Sequence, residues 1–147
     1  MNTTEARKTV RELMTSQRFT ALGTAEGGKP YLSLVAFAAT TDLKRIIFPT
    51  RRATRKYRNL VRQPEVAMLV DARPGGSTAI GTAPAVTALG KAREASAPQA
   101  SRLRAAFLRK HPELRQFVEA PDCALFVVRV RVYNGVMALD RTFSLRP

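Results

Sequence analysis

The sequence predicts a mainly β protein with flanking helices, an antiparallel barrel or sandwich of the α+β class. Short apolar segments separated by turn-forming residues recur along the chain, which is typical of strands. The first three follow one another through short turns, which favours antiparallel neighbours. Helical periodicity is confined to four segments, and one of these lies between two predicted strands, directly after a basic turn.

The predicted elements of the first half begin with a helix that is capped by Thr3 or Thr4 and runs to about Gln17. The strand at 30–38 has apolar residues on both of its faces, so we expect both faces to be covered. The predicted strands of this half lie at 19–24, 30–38, 45–49 and 66–71, with a hairpin turn at 26–29.

The second half combines a strand of low bulk with two helices and a final pair of strands. Small residues from 78 to 89 indicate close approach to a neighbouring subunit or ligand, or a bent barrel strand. Helical patterns run from Pro98 to about Arg109 and from Pro112 to Glu119. The last predicted strands lie at 124–132 and 135–139.

The chain of 147 residues predicts a single domain, 1–147, and a domain of this length buries roughly 68–70% of its unfolded surface. Its 45% hydrophobic and 24% charged residues are typical of a globular protein. No apolar run approaches the ~20 residues needed to cross a bilayer. Residues 1–17 are polar and include acids, unlike a signal peptide, so we expect a cytoplasmic protein that does not enter a membrane.

The net charge of +14 is the most extreme property of this sequence. A surplus of this size favours polyanions, anionic membranes or phosphorylated small ligands and does not choose among them. The sequence has neither the spacing of a zinc finger nor the aromatic strand of RNA-binding modules, so a nucleic-acid partner is not favoured. A barrel that binds polyanions through its charged surface stays open as an alternative.

The segment 46–70 carries the strongest functional signal, because a strand, a basic turn, a short helix and a second strand follow one another there. Six cations and no acid lie at 51–62. Thr54 is the predicted N-cap, and Arg55 and Lys56 lie beside the unpaired N–H groups of the helix start, which predicts a phosphate site. A solvated basic helix face is the alternative interpretation.

Four further predictions concern burial and reactivity. Tyr57, Leu60 and Val61 have the i, i+3, i+4 spacing of a buried helix face. His111 is the only histidine, without partners for a metal site or a catalytic triad, and we expect a capping or surface residue. Cys123 is the only cysteine and lies in an apolar run, which indicates a buried, unreactive thiol. The carboxylates show no paired spacing, so we expect a cofactor to supply any reactivity.

Several segments resemble a known family in their order and spacing: G-G-K-P-Y-L-S-L-V-A-F (27–37), I-I-F-P-T-R-R-A-T-R-K (46–56) and N-L-V-R-Q-P-E-V-A-M-L-V (59–70). Together with H-P-E-L-R-Q-F-V-E-A-P-D-C-A-L-F-V-V-R-V (111–130), they resemble the FMN-binding split β-barrel proteins related to pyridoxamine 5′-phosphate oxidase, over about residues 15–135. The resemblance implies an antiparallel six-stranded split β-barrel flanked by helices. It also implies a homodimer with the flavin at its interface.

The same resemblance implies which residues hold FMN. In the family, the turn after the third strand holds the flavin phosphate, and a neighbouring strand runs along the isoalloxazine ring. The matching phosphate positions are Thr50, Thr54, Arg55 and Lys56, with Arg51 and Arg52 as helpers. The matching ring positions are Ser33, Leu34, Val35, Ala36, Pro49 and Thr50.

Departures from the family pattern bear on the activity. The ring-lining strand lacks the basic residues that pyridoxamine phosphate oxidases place at its two ends, and their C-terminal substrate elements are not matched. We therefore expect an FMN-dependent oxidoreductase with an unknown substrate rather than a vitamin B6 oxidase. A non-catalytic module that carries flavin, deazaflavin or haem is the alternative.

Overall fold

The computed structural model describes residues 1–72, 83–138 and 140–147. Its helices are α1 Thr3–Ser16, α2 Arg55–Arg62, α3 Ala97–Lys110 and α4 Arg115–Val118, with a short 3₁₀ helix at Pro112–Leu114 before α4. Its strands are β1 Phe19–Glu26, β2 Lys29–Ala36, β3 Ala38–Ala39, β4 Arg45–Arg51, β5 Glu65–Asp71, β6 Ala85–Glu94, β7 Cys123–Met137 and β8 Arg141–Leu145. Within these ranges, no helix combines the length and the apolar character needed to span a bilayer.

The described strands form one antiparallel sheet that curls into a half-barrel, with helices around it. Their order is β2-β1-β5-β6-β7-β4-β3, and β8 pairs with the C-terminal part of β7. The predicted α+β class and split barrel are therefore confirmed. The described sheet has eight strands rather than six, since β3 is a two-residue strand and β8 was not predicted. The predicted meander of the first three strands is confirmed only in part. β1 pairs with β2, and the short β3, which includes Ala38 at the end of the predicted strand 30–38, pairs with β4. β2 itself does not pair with β4, whose other edge pairs with β7.

The first helix begins one or two residues earlier than the predicted caps, Thr3 or Thr4, imply. Asn2 is the N-cap: its Oδ1 accepts a hydrogen bond from Glu5 N at 2.9 Å, and Glu5 Oε2 accepts one from Asn2 N at 3.2 Å. This reciprocal capping box satisfies two amide donors at the helix start. The apolar side of α1, which includes Val10 and Leu13, is buried against the barrel. The other predicted helices are confirmed as α2, α3 and the short 3₁₀ helix with α4.

The core has two parts that meet across β4. Ile46 and Phe48 belong to the barrel interior, where Phe48 stacks on Phe126 with ring centroids 5.7 Å apart. Ile47 points the other way and packs in the cluster that includes Phe107 of α3. β4 therefore carries an uninterrupted apolar sequence because both of its faces are covered.

The outer face of β2 is not covered by the described residues of the single chain, so this chain does not itself supply the cover predicted for both faces of strand 30–38. Leu32 is 72% exposed and Leu34 is 70% exposed. β2 is an edge strand whose strand partner is β1. The chain leaves this strand at Ala36, and the fully buried Phe37 separates β2 from β3.

α2 presents a different side to the barrel from the one that its spacing predicts. Val61 is 61% exposed, whereas Asn59 and Leu60 are both buried. Asn59 Nδ2 donates a hydrogen bond to Thr24 Oγ1 at 3.1 Å. The predicted burial of Val61 is therefore wrong, because a polar residue with a partner on β1 faces the barrel instead.

The end of the chain differs from the two strands predicted at 124–132 and 135–139. One strand, β7, runs through Gly135 without interruption, and β8 then returns along it. A Cβ atom at Gly135 would collide with the ring of Phe143. Gly135 therefore serves close packing between two strands and does not mark a turn.

β6 lies further along the chain than the strand predicted at 78–89. It comprises Ala85–Glu94, and residues 78–82 lie outside the described part of the chain. Gly90 sits at a register shift against β7, where a Cβ atom would collide with the Arg129 carbonyl. The close approach at Gly90 is thus to a neighbouring strand of the same sheet, as in a bent barrel strand.

Candidate functional site

A cleft opens at the split of the barrel, between β2 and β4, which are not neighbours in the sheet. This split cleft has a volume of about 330 Å³. Eight of the eleven predicted site residues line it, and three residues that were not predicted complete it. The lining residues are Phe19, Leu34, Val35, Ala36, Pro49, Thr50, Arg51, Thr54, Lys56, Leu114 and Phe117.

The open edge of β4 creates room for the split cleft. β3 pairs with β4 only at Ile46 and Ile47, so no described strand pairs with this edge of β4 beyond Ile47. β7 pairs with the opposite edge of β4 from Arg45 to Arg51. Pro49 suits this place, since a residue without an N–H group is tolerated at a strand edge that donates no ladder hydrogen bond. β4 therefore brings Pro49 and Thr50 to the cleft while β7 holds its other side.

The turn after β4 positions the N-terminus of α2 at the cleft. Thr54 is the N-cap, as predicted: its Oγ1 accepts a hydrogen bond from Tyr57 N at 3.2 Å and donates one to the Arg51 carbonyl at 2.8 Å. The buried Thr50 places its Oγ1 3.5 Å from Thr54 Oγ1. A helix N-terminus anchored in this way presents unpaired N–H groups and partial positive charge to an anion.

Lys56 is a cation of the split cleft that no residue in the described ranges neutralises. Its side chain is partly buried, and this burial lowers the pKa of its ammonium group. An ammonium group that has lost water without gaining a counter-charge is stabilised by a bound anion. Lys56 therefore gives the split cleft its net preference for negative charge.

Two neighbouring arginines are engaged with acids. Arg51 Nη1 lies 2.7 Å from Asp122 Oδ2, and its guanidinium lies 5.1 Å from the Phe117 ring centroid. Arg52 pairs with Glu94 at 2.7 Å, and this hydrogen-bonded partner holds the pKa of Glu94 below its usual range. Arg51 lines the cleft with its charge already balanced, and Arg52 does not line it.

The two remaining predicted site residues, Ser33 and Arg55, are not among the lining residues. Arg55 is exposed, and its guanidinium lies 5.1 Å from the centroid of the Tyr31 ring. Ser33 precedes the lining part of β2, and its Oγ is buried without a hydrogen-bond partner among the described residues. An orphaned buried hydroxyl beside a cleft is a site at which a ligand group can be accommodated.

Sequence reasoning missed the apolar walls of the split cleft. Phe19 at the start of β1 is 54% exposed, and Leu114 and Phe117 come from the segment after α3. Leu114 and Phe117 lie in the helical pattern predicted from Pro112 to Glu119, and their i, i+3 spacing places them on one side of it. Their position against β4 depends on tertiary contacts that local spacing does not contain.

His111 occupies a cap position, as one of the two expectations had it: it is the C-cap of α3 and the N-cap of the 3₁₀ helix. Its side chain is fully buried and makes no capping hydrogen bond, so the expectation of a surface residue is wrong. Its Nε2 lies 2.8 Å from the Phe37 carbonyl, and its ring stacks on Phe107 with centroids 4.7 Å apart. Burial lowers the pKa of His111.

Cys123 is partly buried, and burial raises the pKa of its thiol, which disfavours the nucleophilic thiolate. In the described ranges, no three His, Cys, Asp or Glu side chains are grouped to hold a metal ion.

Solved structures with the same fold include proteins that bind different cofactors. A haem-binding protein from Mycobacterium smegmatis matches with a TM-score of 0.85 and 21% identity, over 96% of this chain and 57% of that one. The haem storage protein HutZ from Vibrio cholerae matches with a TM-score of 0.69 and 16% identity, over 88% and 91% of the two chains. A FAD-binding protein from Mesorhizobium loti matches with a TM-score of 0.69 and 18% identity, over 92% and 94%. At these identities the matches show the fold alone.

Sequence comparison adds the family. A search of curated proteins finds no match to this chain. The chain spans less than two thirds of the Mycobacterium smegmatis protein, so that protein has a large part with no counterpart here. A family model described as pyridoxamine 5′-phosphate oxidase matches residues 6–136, which is most of the sequence. With its split barrel and this match, the chain belongs to the pyridoxamine 5′-phosphate oxidase family.

Proposed function

We propose that this protein binds FMN in the split cleft as a cytoplasmic homodimer and acts as an FMN-dependent oxidoreductase. The observation that carries the proposal is the position of Lys56, an unneutralised and partly buried cation, in the same cleft as the N-terminus of α2 and residues 34–36 of β2. A phosphate and a planar ring are both accommodated by such a set of residues.

Lys56 and the start of α2 would hold the phosphate. The ammonium of Lys56 would donate charge-assisted hydrogen bonds, and Thr54 and the first amides of α2 would provide further polar contacts. Each charge-assisted hydrogen bond contributes about 1.5–3 kcal/mol where water is excluded. Arg55 lies on the solvent side of the same turn and would add long-range attraction to the phosphate.

Residues of β2 and the apolar walls would hold the ring. β2 is an edge strand of the described sheet, so it has backbone N–H and C=O groups that no described strand pairs with and that can meet the polar rim of a flavin. Leu34 and Phe117 provide apolar surface for the ring faces, and the orphaned Ser33 hydroxyl lies next to this segment. When bound, FMN supplies electron and hydride transfer, while these residues fix its orientation and limit its contact with water.

The homodimer is proposed from the uncovered apolar face of the sheet. Leu32, Leu34, Phe19 and Leu69 are exposed by 72%, 70%, 54% and 44% on the adjoining strands β2, β1 and β5. A contiguous apolar patch of this kind marks an interaction surface. Since Phe19 and Leu34 also line the split cleft, a second copy on this face would enlarge a cleft that is at the small end of the ~300–1,000 Å³ range of ligand sites.

A carrier of haem or deazaflavin is the second candidate, because solved relatives of this fold include haem-binding and haem storage proteins. The sole histidine, His111, is buried with Nε2 against the Phe37 carbonyl, so it would have to leave this position to ligate haem iron. This geometry favours flavin over a histidine-ligated haem.

The test compares FMN with riboflavin on purified protein. The absorbance spectrum and mass spectrum of the ligand extracted from the protein as isolated distinguish flavin, deazaflavin and haem. Lys56→Gln should weaken FMN binding about tenfold to hundredfold and leave riboflavin, which lacks the phosphate, almost unchanged. Arg62→Gln, at the far end of α2, is the control with the same change in charge. Equal FMN affinity in wild type and Lys56→Gln would remove the phosphate site from the split cleft.

A further inference from the structure

A second cleft lies between α1, the turn that joins β3 to β4, and α3. Its volume is about 870 Å³, and it shares no lining residue with the split cleft. This size is within the range of small-molecule sites, which is ~300–1,000 Å³. We call it the α3 cleft, and its cationic side chains are Arg11, Arg45, Arg102, Arg109 and Lys110.

No acid is among the described residues that line the α3 cleft. The sequence of α3 contains no acid, and Glu12 and Asp42 of the other two elements already have partners. Glu12 of α1 lies 3.9 Å from Lys8, and Asp42 accepts a hydrogen bond from the Thr40 hydroxyl at 2.7 Å. Asp42 also attracts Arg45 and so offsets part of its charge, but no described acid of the elements that form the cleft pairs with Arg102 or Arg109 of α3.

Three arginines of the α3 cleft have no hydrogen-bond or ion-pair partner for their side chains within the described ranges, namely Arg45, Arg102 and Arg109. Arg11 is anchored, since its Nη2 donates a hydrogen bond to the Thr41 carbonyl at 3.3 Å. Cations collected in one cleft repel each other and raise the local concentration of anions. Guanidinium groups recognise phosphate through paired N–H donors, so this set suits a phosphate group.

Lys110 presents its charge from a fixed position. Its Nζ donates a hydrogen bond to the Met14 carbonyl at 2.8 Å and lies 4.0 Å from the centroid of the Phe37 ring. Burial lowers the pKa of Lys110 to about 8. The ammonium group is thus held at the junction of α1, α3 and the barrel before any ligand arrives.

The floor of the α3 cleft is apolar and built mainly from short side chains. Ala38, Ala39 and Ala106 leave open space, and Leu43 and Leu103 are buried beneath it. A cleft with a cationic rim and an apolar floor matches a ligand that carries both an anionic group and an apolar body.

We propose that the α3 cleft binds a phosphorylated small molecule with a compact apolar body. The phosphate lies at Arg102 and Arg109, which are seven residues apart on α3 and therefore share one helix face. The apolar body rests on the floor around Ala106. This site is separate from the split cleft, and its occupancy does not depend on the proposed flavin function.

A long polyanion is the competing occupant. Arg45 also lines an adjacent groove with Lys91, Arg93 and Arg129, so a charged chain could follow both surfaces. The concave apolar floor argues for the small molecule, because a charged backbone gains little from apolar contacts. Glu94 also lines that adjacent groove, whereas no acid lines the described α3 cleft.

The test uses 1-naphthyl phosphate as the probe and the cofactor-loaded protein of 147 residues, with binding measured by calorimetry. The double substitution Arg102→Gln with Arg109→Gln should weaken binding at least about tenfold, because it removes two phosphate donors. Ala106→Phe should give a similar loss by filling the floor without changing the charge. The control, Arg58→Gln with Arg62→Gln on α2, changes the net charge equally and should stay within about twofold.

Thermal unfolding and flavin content, measured for each variant, show that the fold and the split cleft are intact. The proposal is overturned if wild-type protein shows no saturable binding of the probe, or if the control variant loses as much affinity as the α3 variant. It is also overturned if uncharged 1-naphthol binds as tightly as its phosphate. Heparin binding that depends on Arg102 and Arg109 without any binding of the probe would assign this surface to a polyanion instead.

Discussion

The split cleft and the α3 cleft both lie in a strongly cationic protein, but they differ in how far nearby acids neutralise their cations. At the split cleft, Arg51 is balanced by Asp122 and the adjacent Arg52 by Glu94, which leaves Lys56 as its unneutralised cation in the described chain. At the α3 cleft, five cations gather without a lining acid among the described residues.

This difference teaches that net charge alone does not locate a binding site. The split cleft couples one unneutralised cation to a helix N-terminus and to an exposed strand edge, which favours a single phosphate attached to a planar group. The α3 cleft combines several cations with an apolar floor, which favours charge recognition by guanidinium groups. A substitution in one cleft should therefore weaken ligand binding there and leave ligand binding at the other cleft unchanged.

The largest expected effect is the loss of FMN binding on reversal of charge at Lys56. Lys56→Glu puts a carboxylate beside the phosphate, and we expect FMN affinity to fall by more than about a hundredfold, since it removes an attraction and adds a repulsion. Binding of 1-naphthyl phosphate at the α3 cleft should stay within about twofold. Arg109→Glu should produce the reverse pattern. Flavin fluorescence and calorimetric titrations of both variants measure the two affinities, and a loss of both ligands in either variant would contradict separate sites.

The next effect concerns the hydroxyl that anchors the split cleft. Thr54→Ala removes the N-cap of α2, which should lower the free energy of unfolding by about 1 kcal/mol and weaken FMN binding about tenfold. Thr54→Ser keeps the hydroxyl and should restore both quantities. Chemical denaturation and FMN titration separate the two consequences. FMN affinity that is unaffected by Thr54→Ala would show that the cap supports the helix without serving the ligand.

The parts of the site that the sequence predicts are those that lie close together along the chain. Thr50, Thr54 and Lys56 fall within one turn and the start of one helix, so the local pattern and the family resemblance place them. The neutralisation of Arg51 depends on Asp122, which is 71 positions away. Local spacing holds no information on such a pair, and Arg51 therefore looked like an additional phosphate ligand.

The same reason explains the errors in the fold. Val61 fits a buried helix face by spacing, but the side that faces the barrel is set by the hydrogen bond from Asn59 to Thr24, 35 positions apart. The apolar pattern of β2 is identical whether its outer face is covered by the same chain or left open for another one. The cations of the α3 cleft come from three separate parts of the chain, so the pattern of a single segment does not predict that they lie together.

The pH dependence of the α3 cleft distinguishes it from a site made of arginines alone. The pKa of Lys110 is lowered to about 8 by burial, with a contribution from nearby Arg18. Lys110 therefore loses its proton between about pH 7 and about pH 9, while a phosphate monoester, with a second pKa of about 6, keeps its charge. His111 beside it has a pKa lowered by burial and stays neutral in this range.

We expect the affinity for 1-naphthyl phosphate to fall several-fold as the pH rises through about 8, because Lys110 attracts the phosphate electrostatically only when it is protonated. Lys110→Gln should bind more weakly at neutral pH and show a nearly flat profile. Calorimetric titrations across this range provide the measurement. A wild-type profile that is as flat as that of Lys110→Gln would place the ligand away from Lys110.

The smallest expected effect tests whether Arg52 belongs to the fold rather than to the ligand. Arg52→Gln breaks a half-exposed ion pair with Glu94 and a hydrogen bond to the Tyr57 hydroxyl, so the free energy of unfolding should fall by about 0.5–1 kcal/mol. FMN affinity should stay within about twofold, and Arg62→Gln is the matched control. The pKa of Glu94 is lowered in the folded state, so its contribution to stability is present above the unfolded value of about 4.5 and is lost as the pH falls through the folded value. The stability difference between wild type and Arg52→Gln should therefore shrink on acidification, which chemical denaturation at a series of pH values measures.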